Sequence, residues 1–316
     1  MIMGHLGRCM TLGLVALGLS ACVASPPVNS PRPETRGVWA LPDAGPQSAL
    51  SRGYASYYAS IEQRLVANGL LRTDGGGDDT PFSQRMLVAN FERIALFDEY
   101  ALTNGRFVAR QTPSRLRRWE VPVRIQAHFG PSLSAAARSD DSAVIGTYAQ
   151  RLARATGHPI RKVSSGGNFH VLFVSRDEQQ LTGPLLQQLV PGIGPETLRE
   201  ISNLPRHTFC SVYAFSEAGG TPVYQTAVAI IRTEHPDLLR RSCIHEEIAQ
   251  GLGLPNDSPA ARPSIFNDDE EFALLTRHDE LLLRILYDPR LRPGMEPAAA
   301  RPIVAEIAAE LLGGSS

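Results

Sequence analysis

The pattern of apolar and polar positions divides the chain into a helical first part and a second part in which strands and helices alternate. Apolar residues recur at helical spacing over residues 55–71 and 82–103. After Trp119, short apolar runs typical of strands are separated by amphipathic stretches. The pattern predicts strands at 121–129, 169–174, 210–215 and 223–232, and helices at 140–156, 236–251, 274–287 and 301–312. This order predicts an α/β (α+β) fold with a mixed sheet.

The first residues of the chain have the pattern of a secretion signal. Arg8 precedes an apolar run over residues 10–19, and small residues lead to a cysteine in the string Leu19-Ser20-Ala21-Cys22. The run of about ten residues is too short for a bilayer of ~30 Å, which favours a signal peptide over a membrane helix. The final string resembles the lipobox of bacterial lipoproteins, in which the cysteine is acylated and becomes the first residue. The alternative is an ordinary secretory peptide that ends in a chance cysteine.

A lipid anchor at Cys22 predicts attachment to a membrane surface, with the rest of the chain in the cell envelope. Two or more acyl chains, each contributing ~0.8 kcal/mol per buried CH₂, hold a protein on a membrane stably. Val23 follows the cysteine, and by resemblance to enteric sorting rules a residue other than Asp favours the outer membrane, facing the periplasm. The Pro/Ser-rich residues up to 48 are typical of a tether.

The cysteine count predicts one disulfide. Of the 4 cysteines, Cys9 lies in the signal peptide and Cys22 is the lipid site, which leaves Cys210 and Cys243. In an oxidising compartment two such cysteines most simply pair, closing a loop of roughly 34 residues for about 3–4 kcal/mol of stability. Two free buried thiols are the alternative.

The charge balance disfavours a nucleic-acid partner. The chain has 31 basic and 32 acidic residues and a net charge of −1, and no basic patch stands out.

The segment from His245 to Asp257 carries the candidate chemistry. A His-Glu pair on a helix is typical of the zinc motif H-E-x-x-H, but the residue four after His245 is Ala249, which cannot bind a metal. Starting one residue later, Glu246-Glu247-x-x-Gln250-x-x-Gly253-x-x-Asn256 has the spacing of the longer motif H-E-x-x-H-x-x-G-x-x-H. The segment therefore resembles the metzincin zinc peptidases.

Other strings extend this resemblance over about residues 118–295. Gly251 to Pro255 resembles the A-L-G-L turn of matrixin-type and snapalysin-type peptidases, and Ser264-Ile265-Phe266-Asn267 lies where those enzymes have their methionine turn. The string from Leu275 to Tyr287 resembles the matrixin C-terminal helix, and Trp119 to Pro122 the entry to the first zincin strand. The resemblance implies a zincin-like mixed sheet, a motif-bearing helix and a helical C-terminal lobe.

The whole chain also resembles an uncharacterised bacterial lipoprotein family, domain of unknown function 2927. The block from Ser264 to Met295 carries this likeness, including its end Asp288-Pro289-Arg290-Leu291-Arg292-Pro293-Gly294-Met295. That family has no established activity. The predicted organisation is a signal peptide (1–21), a lipidated cysteine and tether (22–48), a helical N-terminal segment (49–117), a zincin-like domain (118–296), and a C-terminal helix and tail (297–316).

The candidate site residues follow from the metzincin resemblance. Glu247 occupies the general-base position, while Glu246, Gln250 and Asn256 occupy the ligand positions, with His245 as a further metal candidate in another register. One carboxylate with two amides is a poor zinc site, and oxygen donors suit Ca²⁺ better. We therefore expect no cofactor, with zinc or calcium as the alternatives.

Three functions remain open from the sequence. The leading hypothesis is an envelope lipoprotein whose degenerate metallopeptidase-like domain binds a peptide or protein partner without catalysis. The second is an active metal-dependent peptidase or hydrolase that uses Glu247 as general base. The third is a structural envelope protein, in which Glu246 and Gln250 are a solvated or hydrogen-bonded pair on one helix face.

Overall fold

A computed structural model of the protein describes residues 45–103, 106–216 and 222–313, together with Leu41 and Asp43. These residues form nine helices and seven strands: α1 (Ala49–Ala67), α2 (Gln84–Ala95), β1 (Phe97–Thr103), β2 (Arg106–Pro113), β3 (Val123–Phe129), α3 (Ala135–Thr156), β4 (Ile160–Lys162), β5 (Phe169–Val174), α4 (Arg176–Gln179), α5 (Gly183–Leu189), α6 (Pro195–Ile201), β6 (Cys210–Ser216), β7 (Tyr224–Arg232), α7 (Asp237–Gln250), α8 (Arg277–Leu286) and α9 (Pro297–Gly313). The predicted mixed α/β fold is confirmed. The predicted signal peptide, Cys22 and most of the tether lie outside the described residues.

Five strands form the main sheet, in the order β4-β3-β5-β7-β6. Strands β4, β3, β5 and β7 run parallel, and β6 runs antiparallel to β7 at one edge. Helix α3 connects β3 to β4, and β7 leads into α7. The inner strand β7 is buried on both faces over residues 227–232, which explains the unbroken apolar run Ala227–Ile231 within it.

The sheet separates two hydrophobic layers. On one face Val171 and Ala229 belong to the main core, which also includes Leu152 of α3, Ile248 of α7 and Leu282 of α8. On the other face a smaller cluster joins residues of β5 and β7 to α5 and α6: Leu172, Val228, Ile230, Leu185, Leu186 and Ile201. The alternation of side chains along each strand decides which residue enters which layer.

The helix predicted over residues 82–103 ends at Ala95, and a strand follows. Ser83 caps the start of α2, since its Oγ accepts a hydrogen bond from the backbone N–H of Met86. Phe97 continues the helical spacing of apolar residues, yet it begins β1 and pairs with Pro113 of β2. The segment 49–117, predicted to be helical, therefore includes a two-stranded antiparallel sheet. Apolar spacing alone does not distinguish the two states over so few residues.

Among the helices that the structure describes, none is both long and apolar enough to cross a membrane.

Helix α7, which carries the candidate motif, is fixed by polar contacts from two other helices. Glu62 of α1 accepts a hydrogen bond from the backbone N–H of Leu239 at 2.8 Å and so caps the start of α7. The next residue, Arg240, forms a buried ion pair with Asp141 of α3 at 2.8 Å. These contacts set the position of the helix along its axis and its rotation about it.

The chain leaves α7 through a turn that requires glycine. Trp119 donates its Nε1–H to the carbonyl of Gly251 at 2.8 Å, and a Cβ on Gly251 would lie 2.5 Å from Cζ of Phe169. Gly253 has φ +126°, and a Cβ there would lie 2.3 Å from the carbonyl oxygen of Arg117. Only glycine fits the space at Gly251, and only glycine fits both the space and the backbone conformation at Gly253. The helix end predicted at these glycines is therefore a close-packed turn against the start of the sheet domain.

Candidate acidic site at helix α7

The disulfide predicted from the cysteine count is confirmed. Cys210, the first residue of β6, is bonded to Cys243 of α7, with a Cα–Cα distance of 5.9 Å that is ordinary for disulfides. Cys243 is 2% exposed, whereas Cys210 is half-buried. The bond ties the edge strand of the sheet to the helix that carries the motif.

Two carboxyl groups lie beside this disulfide. Within the described residues, Cys210, Glu246 and Glu247 form one group whose potential metal-ligand atoms all lie within 4.8 Å of one another. The sulfur of Cys210 is already bonded to Cys243, so only the two carboxyl groups are free to ionise in this state. Glu246 and Glu247, which match the first-ligand and general-base positions of the motif, therefore both lie beside Cys210.

Glu247 is the more deeply buried of the pair. It is 3% exposed, and its Oε2 has no hydrogen-bond partner in the described structure. Glu246 is half-buried. A buried polar atom without a partner carries a desolvation cost of about 1–3 kcal/mol, more if it is charged. Such an atom is a sign of strain or of a ligand that completes it.

Acidic neighbours add to the cost of ionising this pair. Burial is the main cause that raises the pKa of Glu246 well above its ordinary range, followed by the charges of Glu247, Asp257, Glu270 and Asp268. The pKa of Glu247 is also raised strongly, by burial and then by Asp257. Burial, with Asp268 and Asp269, raises the pKa of Glu270 to about 7.

These residues form what we call the acidic cluster: Glu246, Glu247, Asp257, Asp268 and Glu270. Asp268 is exposed, while Glu246, Asp257 and Glu270 are half-buried, so the cluster reaches solvent. The strongest electrostatic influences on Glu246 are all negative. The cluster therefore favours a proton, a metal ion or a cationic side chain.

The two amide residues at ligand positions have different surroundings. Gln250 donates its Nε2–H to Asp257 at 3.1 Å and so joins the acidic cluster through that carboxylate. Asn256 is 1% exposed and donates its Nδ2–H to the carbonyl of Arg93 at 2.9 Å, while its Oδ1 has no partner in the described structure. The amide of Asn256 thus ties the turn after α7 to helix α2.

His245 makes the contacts of a structural histidine. Its Nδ1 accepts a hydrogen bond from the backbone N–H of Leu275 at 3.1 Å, and its ring stacks on Tyr148 with 4.0 Å between centroids. Burial, and then the charges of Arg151 and Arg241, lower the pKa of His245 to about 3. The residue is not a member of the three-residue group around Glu246 and Glu247.

Asp279 joins two segments downstream of the motif by hydrogen bonds: the segment at the methionine-turn position and the start of α8. This carboxylate is fully buried and accepts hydrogen bonds from the hydroxyl of Ser264, the backbone N–H of Ile265 and both the N–H and the hydroxyl of Thr276. Thr276 and Asp279 form a capping box at the start of α8. Phe266, at the methionine position of the resemblance, is fully buried in the main core.

The zinc that the metzincin resemblance implies does not fit the three matching positions. Zinc sites use Cys, His and carboxylate ligands. Here Glu246 supplies one carboxylate, whereas Gln250 and Asn256 offer only neutral amide oxygens, and their N–H groups hold the side chains to Asp257 and to the carbonyl of Arg93. These positions therefore do not form a catalytic zinc site.

Sequence reasoning missed the position of Cys210 in this site. Cys243, Glu246 and Glu247 are spaced i, i+3 and i+4, so they share one face of α7. Once Cys210 and Cys243 are bonded, Cys210 must lie near both carboxyl groups. Glu270 was also missed, although the run Asn267-Asp268-Asp269-Glu270-Glu271 is a visible concentration of acidic residues.

The fold and the site together define a mixed α/β domain with an acidic cluster between a disulfide-tethered edge strand and the helix that follows the sheet. Residues 84–306 match the model of a family described as Protein of unknown function (DUF2927), and the chain belongs to that family. The search of curated proteins gives no match, and neither does the search of solved structures.

Proposed function

We propose that this protein is a lipid-anchored lipoprotein of the bacterial cell envelope, and that its domain binds an extended peptide segment with a basic side chain along the outer edge of β6. The observation that carries the proposal is the position of the acidic cluster at the start of this edge strand. Catalysis is not part of the proposed function.

The anchor rests on the string from Leu19 to Cys22 and on the short apolar run before it. The Cys210–Cys243 disulfide supports the same compartment, because stable disulfides belong to oxidising surroundings. The Pro/Ser-rich residues between Cys22 and the start of α1 supply a tether of the kind that lifts a domain from a surface.

Strand pairing within the described sheet favours the outer edge of β6 as the peptide-binding edge. Within the described sheet, β6 pairs with β7 on one side, and all seven of its residues are half-buried. The unpaired backbone N–H and C=O groups of such a strand are a template for an added strand. Peptides bind in this way by backbone hydrogen bonds, while pockets for alternate side chains give selectivity.

The acidic cluster favours a basic side chain in the bound segment. The disulfide brings the first residue of β6 next to Glu246 and Glu247, and the other members of the acidic cluster open the site to solvent. A Lys or Arg side chain of a bound segment would offset carboxyl groups that otherwise repel one another.

A hydrolase that uses Glu247 as general base is less well supported. A general base must be ionised at the working pH. Burial and the charge of Asp257 disfavour the ionised form of Glu247, and the matching metal positions lack the donors that zinc prefers. The free Oε2 is better explained as an acceptor for a bound cation.

The proposal is tested by peptide binding to the full chain purified in detergent, measured by fluorescence anisotropy with a library of extended peptides. For a peptide that binds, replacing its basic residue by norleucine is expected to weaken affinity at least about tenfold. N-methylation of successive backbone amides is expected to weaken affinity at every second position, because alternate N–H groups face the edge.

Variants of the protein distinguish binding at the acidic cluster from a general effect of negative charge on the protein. Glu246→Gln and Glu247→Gln are expected to weaken binding of the basic peptide, whereas Glu196→Gln, on the exposed surface of α6, leaves it unchanged. Equal affinity for the norleucine peptide, or N-methyl effects without a two-residue period, would refute the proposed binding mode.

A further inference from the structure

The disulfide occupies a sulfur that otherwise completes a metal-ligand set. The Sγ of Cys210 and one carboxyl oxygen from each of Glu246 and Glu247 all lie within 4.8 Å of one another. Glu247 is 3% exposed and keeps an Oε2 without a partner in the described structure. This free, buried oxygen is an independent sign that the group accepts a ligand.

The chemistry of the three atoms fits zinc. Zinc binds thiolate at about 2.3 Å and carboxylate oxygen at about 2.0–2.2 Å in tetrahedral sites, which places sulfur and oxygen ligands about 3.5 Å apart. The three ligand atoms lie within 4.8 Å of one another, so side-chain movements of about 1 Å would bring them to the spacing of a zinc site. A disulfide sulfur carries no negative charge, so the thiolate must be freed first.

We propose that reduction of the Cys210–Cys243 disulfide converts this cluster into a zinc site. The Cys210 thiolate, Glu246 and Glu247 are its protein ligands, and the half-buried surroundings leave the fourth position to water. Oxidised, the protein holds the disulfide; reduced, it holds the metal. This inference does not depend on the proposed peptide binding.

The reduction requires a dithiol reductant. Because Cys210 is more exposed than Cys243, the reductant attacks the sulfur of Cys210. The reductant thiolate attacks the half-buried Cys210 Sγ, the disulfide bond breaks, and Cys243 leaves as a thiolate and takes up a proton. The second thiol of the reductant attacks the mixed disulfide, frees Cys210 and leaves as the oxidised reductant. Two electrons and two protons pass to the protein, and zinc displaces the proton of Cys210.

Cys243 does not compete for the metal. It is 2% exposed, and its Sγ lies 3.7 Å from Nδ1 of His235. Once reduced, the Cys243 thiol has this ring nitrogen as its hydrogen-bond acceptor. The zinc charge offsets the thiolate and the two carboxylates, which repel one another without it.

Cobalt(II) tests the proposal, because a cobalt–thiolate bond gives a charge-transfer band in the near ultraviolet. Full-length wild type, Cys243→Ser and Cys210→Ser, purified in detergent, are each titrated with Co²⁺ and then with Zn²⁺. Cys243→Ser leaves the Cys210 thiol free without any reductant. We expect one equivalent of thiolate-bound cobalt, displaced by zinc, in Cys243→Ser and in reduced wild type, and no band in oxidised wild type or Cys210→Ser.

The carboxyl ligands are tested in the Cys243→Ser background. Glu247→Gln is expected to weaken Co²⁺ binding at least about tenfold, since even outer-shell changes have effects of this size, while Glu196→Gln has no effect. Circular dichroism checks the fold of each variant. If Cys243→Ser does not fold, reduced wild type and reduced Cys210→Ser supply the same comparison.

Two results would overturn the proposal: a folded Cys243→Ser without a thiolate–cobalt band, or a Cys210→Ser protein that binds the metal equally well. Peptide binding is measured separately, on oxidised wild type without metal. Failure of one proposal is therefore distinguishable from failure of the other.

Discussion

The raised pKa of Glu270 makes a quantitative prediction about stability and pH. Burial, and then the charges of Asp268 and Asp269, raise this pKa from 4.5 to about 7. The folded protein therefore binds a proton more tightly than the unfolded chain does. The stabilisation by this proton is fully present below pH 4.5 and is lost as pH rises through about 7. At about 1.4 kcal/mol for each tenfold change in proton affinity, the loss amounts to up to about 3 kcal/mol.

Glu270→Gln removes the titrating carboxyl group and keeps the shape of the side chain. The free energy of unfolding is measured by urea denaturation of wild type and variant at pH 5, 6, 7 and 8. The buried histidines contribute equally to both proteins, so the difference between them reports on Glu270 together with its effect on Glu246, whose pKa the Glu270 charge raises. We expect the variant to gain about 2.5 kcal/mol relative to wild type between pH 5 and pH 8, since part of the full loss falls below pH 5.

Glu196→Gln serves as the control, because this carboxylate is exposed on α6. Its difference from wild type is expected to stay constant over the same pH range. A difference between Glu270→Gln and wild type that does not change with pH would refute the argument that burial and acidic neighbours act on this carboxyl group.

Three further predictions concern packing, a buried ion pair and the anchor. Gly253→Ala places a Cβ 2.3 Å from the carbonyl oxygen of Arg117 at φ +126°, so thermal denaturation should show a loss of about 2 kcal/mol or more. Arg240→Met leaves Asp141 buried without its partner and should lower the free energy of unfolding by about 3–5 kcal/mol. Cys22→Ser should abolish metabolic labelling with palmitate and release the protein from the membrane fraction.

Each of these three experiments has a control or a result that would contradict it. Gly69→Ala, also at positive φ but with no atom within 4 Å of the added Cβ, should be less damaging than Gly253→Ala. The double variant Arg240→Met/Asp141→Leu should recover most of the loss, and no recovery would contradict the ion-pair argument. Palmitate label that persists in Cys22→Ser would show that the lipid is attached elsewhere.

The main strands and helices were predictable because their signals are local. The buried run Ala227–Ile231 indicates an inner strand, and Gly251 and Gly253 mark the end of α7. The end of α2 was not predictable in the same way. Phe97 keeps the helical spacing, and only pairing with Pro113 makes it the start of a strand. Pairing of this kind depends on a distant segment, which apolar spacing does not encode.

The candidate site was likewise predictable only in part. The sequence by itself determined the mixed α/β class, the Cys210–Cys243 pair as the simplest disulfide and the place of Glu246 and Glu247 on one helix, because these follow from the spacing and number of residues along the chain. Only the tertiary structure decided which groups surround that pair. It placed Cys210 of the edge strand and Glu270 of a later loop beside it, and directed His245 to Leu275 instead. Which distant groups share a site depends on how sheet, helix and loop pack, since burial and charge act through space and not along the chain.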